Sequence, residues 1–170
     1  QIGGIHRPDK TFSRPTEEPS RMEQLLQMAD ESVEKEDYEE ASKALGSALI
    51  LDENSRDALQ NMAYVSMQTK AYEQAKEMYE KLITLAENDD MAHALLANVL
   101  HKLKDEAGAE KHHEKAITLD PEYAPHHFNY ANTLYDLGRR KEALIGYQKA
   151  YALDNTLETA KEMIVKLEVL

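Results

Sequence analysis

The sequence predicts an all-α fold built of antiparallel helix pairs, and three observations lead to this prediction. The chain has only 6 Gly and 5 Pro in 170 residues, whereas the helix-favouring residues Ala, Leu, Glu and Lys are abundant. Apolar residues recur at helical spacing, for instance at Phe128, Ala131, Leu134 and Tyr135. A pair of alanines twelve residues apart recurs at a fixed interval along the chain.

The interval between successive alanine pairs is 34 residues, without insertions. The pairs are Ala29 and Ala41, Ala63 and Ala75, Ala97 and Ala109, and Ala131 and Ala143. A small side chain on each of two facing helices lets their axes approach closely, whereas a large one would force them apart. The sequence therefore predicts four units, each of two helices joined by a short turn: 22–55, 56–89, 90–123 and 124–157.

Residues at the unit boundaries predict where the helices begin and end. Gly138 interrupts the apolar pattern of the fourth unit, so we expect the turn between its two helices there. Pro121 is expected at the start of the next helix, where its missing N–H is harmless. The polar segments 52–55, 88–89 and 154–156 offer N-caps to the helices that follow them.

Over residues 22–157 this pattern resembles the tetratricopeptide repeat family. The fourth unit carries the resemblance best, through Asn129-Tyr130-Ala131-Asn132, Leu134-Tyr135, Gly138, Ala143, Tyr147 and Ala150. The Trp that is frequent at the fourth position of the family's repeats is replaced here by Leu25, Leu59, His93 and His127. The resemblance implies a right-handed α-solenoid whose concave groove holds an extended peptide or a helix of a partner protein.

Two further segments flank the predicted repeats. The lead, 1–21, is Pro-rich and therefore disfavours a helix. It is either a flexible linker or an extended segment whose Ile2, Ile5 and Phe12 pack on a repeat of this chain or of a neighbour. The tail, 158–170, has the pattern of an amphipathic helix, which we expect to cap the last repeat; the alternative is the first helix of a fifth repeat.

The resemblance also implies which residues line the concave groove, because members of the family use fixed positions of each first helix for this face. The predicted groove residues are Glu23, Asp30, Glu34, Asp57, Gln60, Asn61, Tyr64, Asn98, His101, Lys102, Phe128, Asn129, Asn132 and Tyr135. Four of them are Asn, whose side-chain amide has both donors and an acceptor and can pair with both groups of a peptide backbone. We therefore expect a protein or peptide ligand.

The distribution of charge indicates the chemistry of that ligand. The chain has a formal net charge of −12, and the first unit, with ten acidic residues against Lys35 and Lys43, contributes −8 of it. If Glu23, Asp30 and Glu34 face the groove, its N-terminal end attracts a basic or mixed-charge peptide. The alternative is a solvated acidic face that keeps the array soluble.

One class of ligand is predicted not to bind. Family members that clamp the C-terminal acidic tail of heat-shock chaperones use Lys and Arg in the groove. The corresponding places in this chain hold Leu26, Gln60, Met91, Ala94 and Leu95. Because these side chains carry no positive charge, we predict no binding of chaperone tails.

Composition and motifs argue against several other functions. The 32 acidic residues against 20 basic ones argue against binding to nucleic acid or to anionic lipid. No apolar run approaches the ~20 residues of a membrane-spanning helix. With no Cys and no phosphate-binding, nucleophile-elbow or dinucleotide motif, we predict a non-catalytic chain that needs no cofactor. The chain begins at Gln1, so we expect a fragment or processed form; the cytoplasm is the favoured compartment, and others stay open.

Six of the seven histidines lie between residues 93 and 127, at His93, His101, His112, His113, His126 and His127. His112-His113 and His126-His127 are expected on neighbouring helices. No metal-binding motif such as HExxH accompanies them, so we predict packing or surface histidines and no metal. The alternatives are a metal site and an interface between units that responds to pH.

A structural function is the alternative to ligand binding. The first unit has no preceding helix, so we expect an apolar outer face with Leu25, Met28 and Ala29 on its first helix and Leu45 and Leu49 on its second. An open apolar end would favour self-association or stacking within a longer repeat array.

Overall fold

The structure is a computed structural model that describes residues 18–169. Within this range the chain forms α-helices joined by short loops, which confirms the predicted all-α class. The helices are α1 (Arg21–Glu34), α2 (Tyr38–Leu51), α3 (Arg56–Gln68), α4 (Tyr72–Leu85), α5 (Asp90–Lys102), α6 (Glu106–Leu119), α7 (Ala124–Asp136), α8 (Arg140–Leu153) and α9 (Glu158–Glu168). None of the helices between residues 18 and 169 combines the length and apolarity that crossing a membrane requires.

The two helices of each pair pack against each other, and α3, α5 and α7 also pack against the second helix of the preceding pair, so the pairs stack into a solenoid. All eight alanines of the 34-residue pattern are completely buried, as the sequence predicts. Gly146 of α8 also allows α7 and α8 to approach closely, because a Cβ atom at this position would lie only 2.8 Å from the Cβ of Ala131 on α7. Alternate helices α1 and α3, and α5 and α7, also contact each other, which places the first helices on the inner side of the array.

The turn inside each pair has the same backbone geometry in all four repeats. Its second residue has a positive φ: Glu36 at 57°, Lys70 at 60°, Lys104 at 67° and Gly138 at 78°. In the first turn, the N–H of Asp37 donates to the carbonyl of Ser32 at 2.8 Å, and the other turns repeat this bond, which closes a Schellman motif. Gly138 is thus the one turn residue suited to its backbone, and the other three adopt the left-handed conformation against their preference.

The helix starts agree only in part with the sequence expectations. The N-cap side chains of Ser55 and Asp89 accept from backbone N–H groups of α3 and α5, as predicted. The prediction for Pro121 is wrong, because α7 begins at Ala124 and Pro121 lies in the preceding loop. The N-cap of α9 is Leu157, whose side chain makes no capping hydrogen bond. The predicted capping segment 154–156 therefore ends one residue before the observed N-cap.

The apolar core is not continuous along the array. One cluster of buried apolar side chains joins α1–α3, a second joins α3–α6, and a third joins α7–α9. None of these clusters spans α6 and α7, where buried polar residues take their place: His113, His126 and Thr133. The junction between the third and fourth repeats is therefore polar.

The predicted apolar outer face of the first repeat is wrong. Leu25, Ala29 and Leu45 are buried inside the pair, and Met28 is the one large apolar side chain of α1 that is exposed, at 42%. The outer face of α1 is polar beside Met28, because Glu31 stands where α3 and α5 have the buried residues Val65 and Val99. End-to-end stacking on this face would have to desolvate those polar groups.

At the other end, the capping role of the tail stays a prediction, and the outward face of α9 is exposed. In α7 the face that receives the second helix of the same pair contains the buried residues Ala131 and Leu134. The equivalent positions of α9 are Val165 and Glu168, and Lys161 lies one turn before Val165. All three side chains are exposed. Residues 1–17 of the lead segment, which include Ile2, Ile5 and Phe12, lie outside the described residues, and its last residue, Arg21, begins α1.

Candidate functional site

The structure forms a cleft on the inner side of the array, where α3, α5 and α7 meet. It has a volume of about 280 Å³ and is lined by Met67, Asn98, His101, Lys102, Asn129, Asn132, Thr133 and Asp136. Five of the fourteen predicted groove residues thus come together in one place: Asn98, His101, Lys102, Asn129 and Asn132. Their role in binding a peptide stays a prediction.

His101 connects the third and fourth repeats at this cleft. Its Nδ1 lies 2.9 Å from Oε2 of Glu106, and its Nε2 lies 3.1 Å from Oδ2 of Asp136. Both ring nitrogens of His101 thus face carboxylate oxygens, one on the next helix of its own repeat and one on the fourth repeat. His101 therefore links α5 to α7.

Asn132 is held by a residue outside the cleft. The hydroxyl of Tyr147, which is fully buried on α8, donates to Oδ1 of Asn132 at 2.7 Å. Tyr147 was not among the predicted groove residues. The hydroxyl of a Tyr that faces the core can hydrogen-bond to a neighbouring side chain, and this polar group was the available signal in the sequence.

Thr133 also lines the cleft and was not among the predicted groove residues. Its position faces the preceding repeat, and in α3 and α5 the same position holds the buried residues Val65 and Val99. A polar residue at a place with buried apolar counterparts was the available signal.

The N-terminal predicted residues behave differently from one another. The side-chain amide of Asn61 donates to Oδ1 of Asp30 at 3.0 Å, so these two groove residues bind each other across α3 and α1. Tyr64 is 46% exposed, a large amount for an aromatic side chain, and faces away from the core. The carboxylate of Glu23 accepts from the N–H of Ser20 at 2.6 Å in a capping box, so it stabilises the start of α1.

The remaining predicted residues fall into two groups. Glu34, Asp57 and Gln60 are exposed, so they are accessible to a ligand on the acidic end of the array. Phe128 and Tyr135 are half-buried and belong to the third apolar cluster. Phe128 packs edge-on against Tyr147, and the ammonium of Lys166 on α9 lies 5.1 Å from the ring centroid of Tyr135.

His93 and His112 form a pair on the opposite side of α5. Their Nδ1 atoms are 2.8 Å apart, and Nε2 of His93 lies 3.0 Å from the carbonyl oxygen of Glu87. The carbonyl requires His93 to carry its proton on Nε2, so Nδ1 of His112 donates to Nδ1 of His93. Burial, and next the adjacent His93, lower the pKa of His112, which favours the neutral form of His112.

The polar junction of α6 and α7 contains two buried histidines. Nε2 of His113 lies 2.9 Å from Oγ1 of Thr133, and Nε2 of His126 lies 2.7 Å from Oδ2 of Asp90 on α5. The ring of His113 also stacks on Tyr130. Burial lowers the pKa of His113 to about 4, with smaller contributions from nearby histidines, so this imidazole is neutral at pH 7.

The histidines are therefore divided among separate contacts. His112-His113 and His126-His127 do not converge, since His112 bonds to His93, and Nε2 of His127 lies 2.8 Å from the carbonyl oxygen of Pro121. In the part of the chain that the structure describes, no group of three or more His, Asp or Glu side chains is arranged to hold a metal ion.

Comparisons with known proteins identify the repeats. Models of the tetratricopeptide repeat match residues 32–99 and 92–123. A structure of MamA is 19% identical over 86% of this chain and 80% of that chain, with a TM-score of 0.75. A tetratricopeptide repeat protein of Thermus thermophilus, TTC0263, is 18% identical over 87% of this chain and 81% of that chain, with a TM-score of 0.69.

A further solved structure, YrrB, is described as a TPR protein with an unusual peptide-binding site. It is 21% identical over 85% of this chain and 75% of that chain, with a TM-score of 0.66. Among curated protein sequences there is no match to this chain. At these identities the structural likeness concerns the fold.

Proposed function

Because the chain belongs to the tetratricopeptide repeat family, we propose that it is a non-catalytic adaptor whose inner face binds a segment of a partner protein. Repeats of this family generally mediate protein–protein interactions. The observation that carries the proposal is the cleft at α3, α5 and α7, where side chains from successive first helices converge.

The lining of the cleft suits an extended peptide segment. Asn98, Asn129 and Asn132 offer amides from two neighbouring first helices, and amides pair with the N–H and C=O groups of a peptide backbone. A peptide that follows the first helices beyond the cleft reaches Asp30 and Asp57. We therefore propose a peptide that is extended in the cleft and carries basic residues toward the acidic first repeat.

Selection of peptides followed by calorimetry tests the proposal. A displayed library of random 12-residue peptides is selected on the wild-type chain, and the affinity of a selected peptide is compared with that for the double variant Asn129→Ala/Asn132→Ala. Loss of two hydrogen bonds of about 1 kcal/mol each predicts roughly 30-fold weaker binding. Asn54→Ala/Asn155→Ala is the matched control, because both asparagines lie exposed in loops.

Undiminished binding to the groove double variant would refute the proposed site. Affinity for a basic peptide should fall as salt is raised from 50 to 500 mM, and a flat salt profile would refute the charge assignment. Micromolar binding of an acidic chaperone tail would overturn the exclusion made from the groove residues. A molar mass that rises with concentration in light scattering, and that the double variant does not change, would favour self-association instead.

A further inference from the structure

Tyr147 lies outside the cleft and yet controls one of its amides. Its ring is fully buried in the fourth repeat, at 5.7 Å from the ring of Phe128 between centroids. Its hydroxyl donates to Oδ1 of Asn132 at 2.7 Å. Burial raises the pKa of Tyr147 to about 12, so the hydroxyl keeps its proton throughout the physiological range and remains a donor.

This hydrogen bond decides which end of the Asn132 amide faces the cleft. Oδ1 and Nδ2 are the two ends of one planar amide, so an oxygen held by Tyr147 leaves the NH2 group for the cleft. The flipped amide would place NH2 against the hydroxyl, and the buried phenolic hydrogen would need another acceptor. Asn132 therefore presents hydrogen-bond donors to whatever occupies the cleft.

The arrangement is peculiar to the fourth repeat. In the third repeat the corresponding residues are Asn98 and His113, but His113 contacts Thr133 of the next repeat instead. In the second repeat they are Tyr64 and Tyr79, which offer no amide to orient. Among residues 18–169, the fourth repeat is thus the one in which a side chain of the second helix fixes a cleft-lining amide of the first helix.

Building on the proposed peptide-binding function, we propose that Tyr147 is a positioning residue that makes Asn132 a fixed donor to a main-chain carbonyl oxygen of the bound peptide. The amide then has little rotational freedom left to lose when the peptide binds. An acceptor is favoured over a peptide N–H at this point, so Tyr147 sets the register of the peptide as well as its affinity.

The test uses a 12-residue peptide selected from the displayed library on the wild-type chain. Tyr147→Phe keeps the buried ring and removes the hydroxyl, and we expect about fivefold weaker binding. In an Asn132→Ala background the same substitution should have no further effect, because Tyr147 acts through that amide. Tyr79→Phe is the matched control, since Tyr79 is buried at the same position of the second repeat, and no hydrogen bond of its hydroxyl occurs among the described residues.

The outcomes separate this inference from the proposed function. If no selected peptide depends on Asn132, the proposed function fails. Two outcomes would overturn the positioning role while peptide binding stands. In the first, Asn132→Ala weakens binding but Tyr147→Phe binds like the wild type. In the second, Tyr147→Phe weakens binding by the same factor with and without Asn132→Ala. NMR of the unsubstituted protein adds a test that needs no variant. The Asn132 side-chain amide should have an order parameter near 0.85, and a value below about 0.6 would overturn the inference.

Discussion

Acidification should weaken the polar junction between the third and fourth repeats, because His113 is buried there as the neutral imidazole. Its pKa is lowered to about 4 in the folded chain, against about 6.5 for an unperturbed His. A depressed pKa means that protons bind preferentially to the unfolded chain. The stability that His113 contributes is therefore complete above pH 6.5 and is lost progressively as the pH falls toward 4.

The size of the effect follows from the two pKa values. Between pH 7 and pH 5, linkage predicts a loss of about 2 kcal/mol in the free energy of unfolding from this one group. Other ionisable groups of the chain also contribute to the pH dependence of stability. The net slope of the wild type is thus a sum over many groups, and a variant is needed to isolate His113.

His113→Phe provides that comparison. Phe keeps the stacking on Tyr130 and removes the titrating group, and the hydroxyl of Thr133 can turn to a backbone carbonyl of its own helix. Urea unfolding at pH 7 and pH 5, followed by circular dichroism, should show that the variant loses about 2 kcal/mol less than the wild type. Equal losses for the two proteins would refute the reasoning. His127→Phe is the comparison that repeats the His-to-Phe substitution at a half-buried position, where the ring contacts the carbonyl of Pro121 instead of Thr133.

Two further predictions concern backbone conformation and packing, and both are measured as shifts in the unfolding midpoint. Lys70→Gly should stabilise the chain by roughly 0.5–1 kcal/mol, because the strain of a left-handed Lys that is removed exceeds the conformational entropy that Gly adds to the unfolded chain. Gly138→Ala should destabilise the chain by about 1 kcal/mol. Opposite signs would contradict the assignment of the turns. Gly146→Ala should destabilise the α7–α8 pair by about 1–3 kcal/mol, because the added Cβ would clash with Ala131. Gly46→Ala should stabilise α2 by roughly 0.5–1 kcal/mol, because its added Cβ has no atom within 4 Å and Ala favours the helix. Equal effects at Gly46 and Gly146 would show that helix propensity alone governs both positions.

The fold was predictable because its determinants are local and repeated. The Ala pairs and the 34-residue interval define helices, turns and pairing without knowledge of long-range contacts. The same reasoning failed at the N-terminal end of the array. It assigned Leu25 and Leu45 to an apolar outer face, whereas the packing of α1, α2 and α3 against one another buries both side chains.

The candidate site was predictable in part. The resemblance placed Asn98, Asn129 and Asn132 on the inner face, and the structure brings them into one cleft. It did not show that Asn61 is already bound to Asp30, since that contact depends on how neighbouring first helices pass each other. The hydrogen bonds of each Asn side chain depend on neighbouring residues that the repeat period does not identify.

By itself, the sequence determined the helices, their 34-residue period and the close pairing at the alanines, because each depends on residues within one repeat. Only the tertiary structure decided which side chains of different repeats meet, such as His101 with Asp136 across 35 positions of the chain. It also decided that the junction of α6 and α7 is polar and that Tyr147 orients Asn132. The physical reason is that hydrogen bonds require partners within about 3 Å, and small differences in how repeats stack determine which partners come that close.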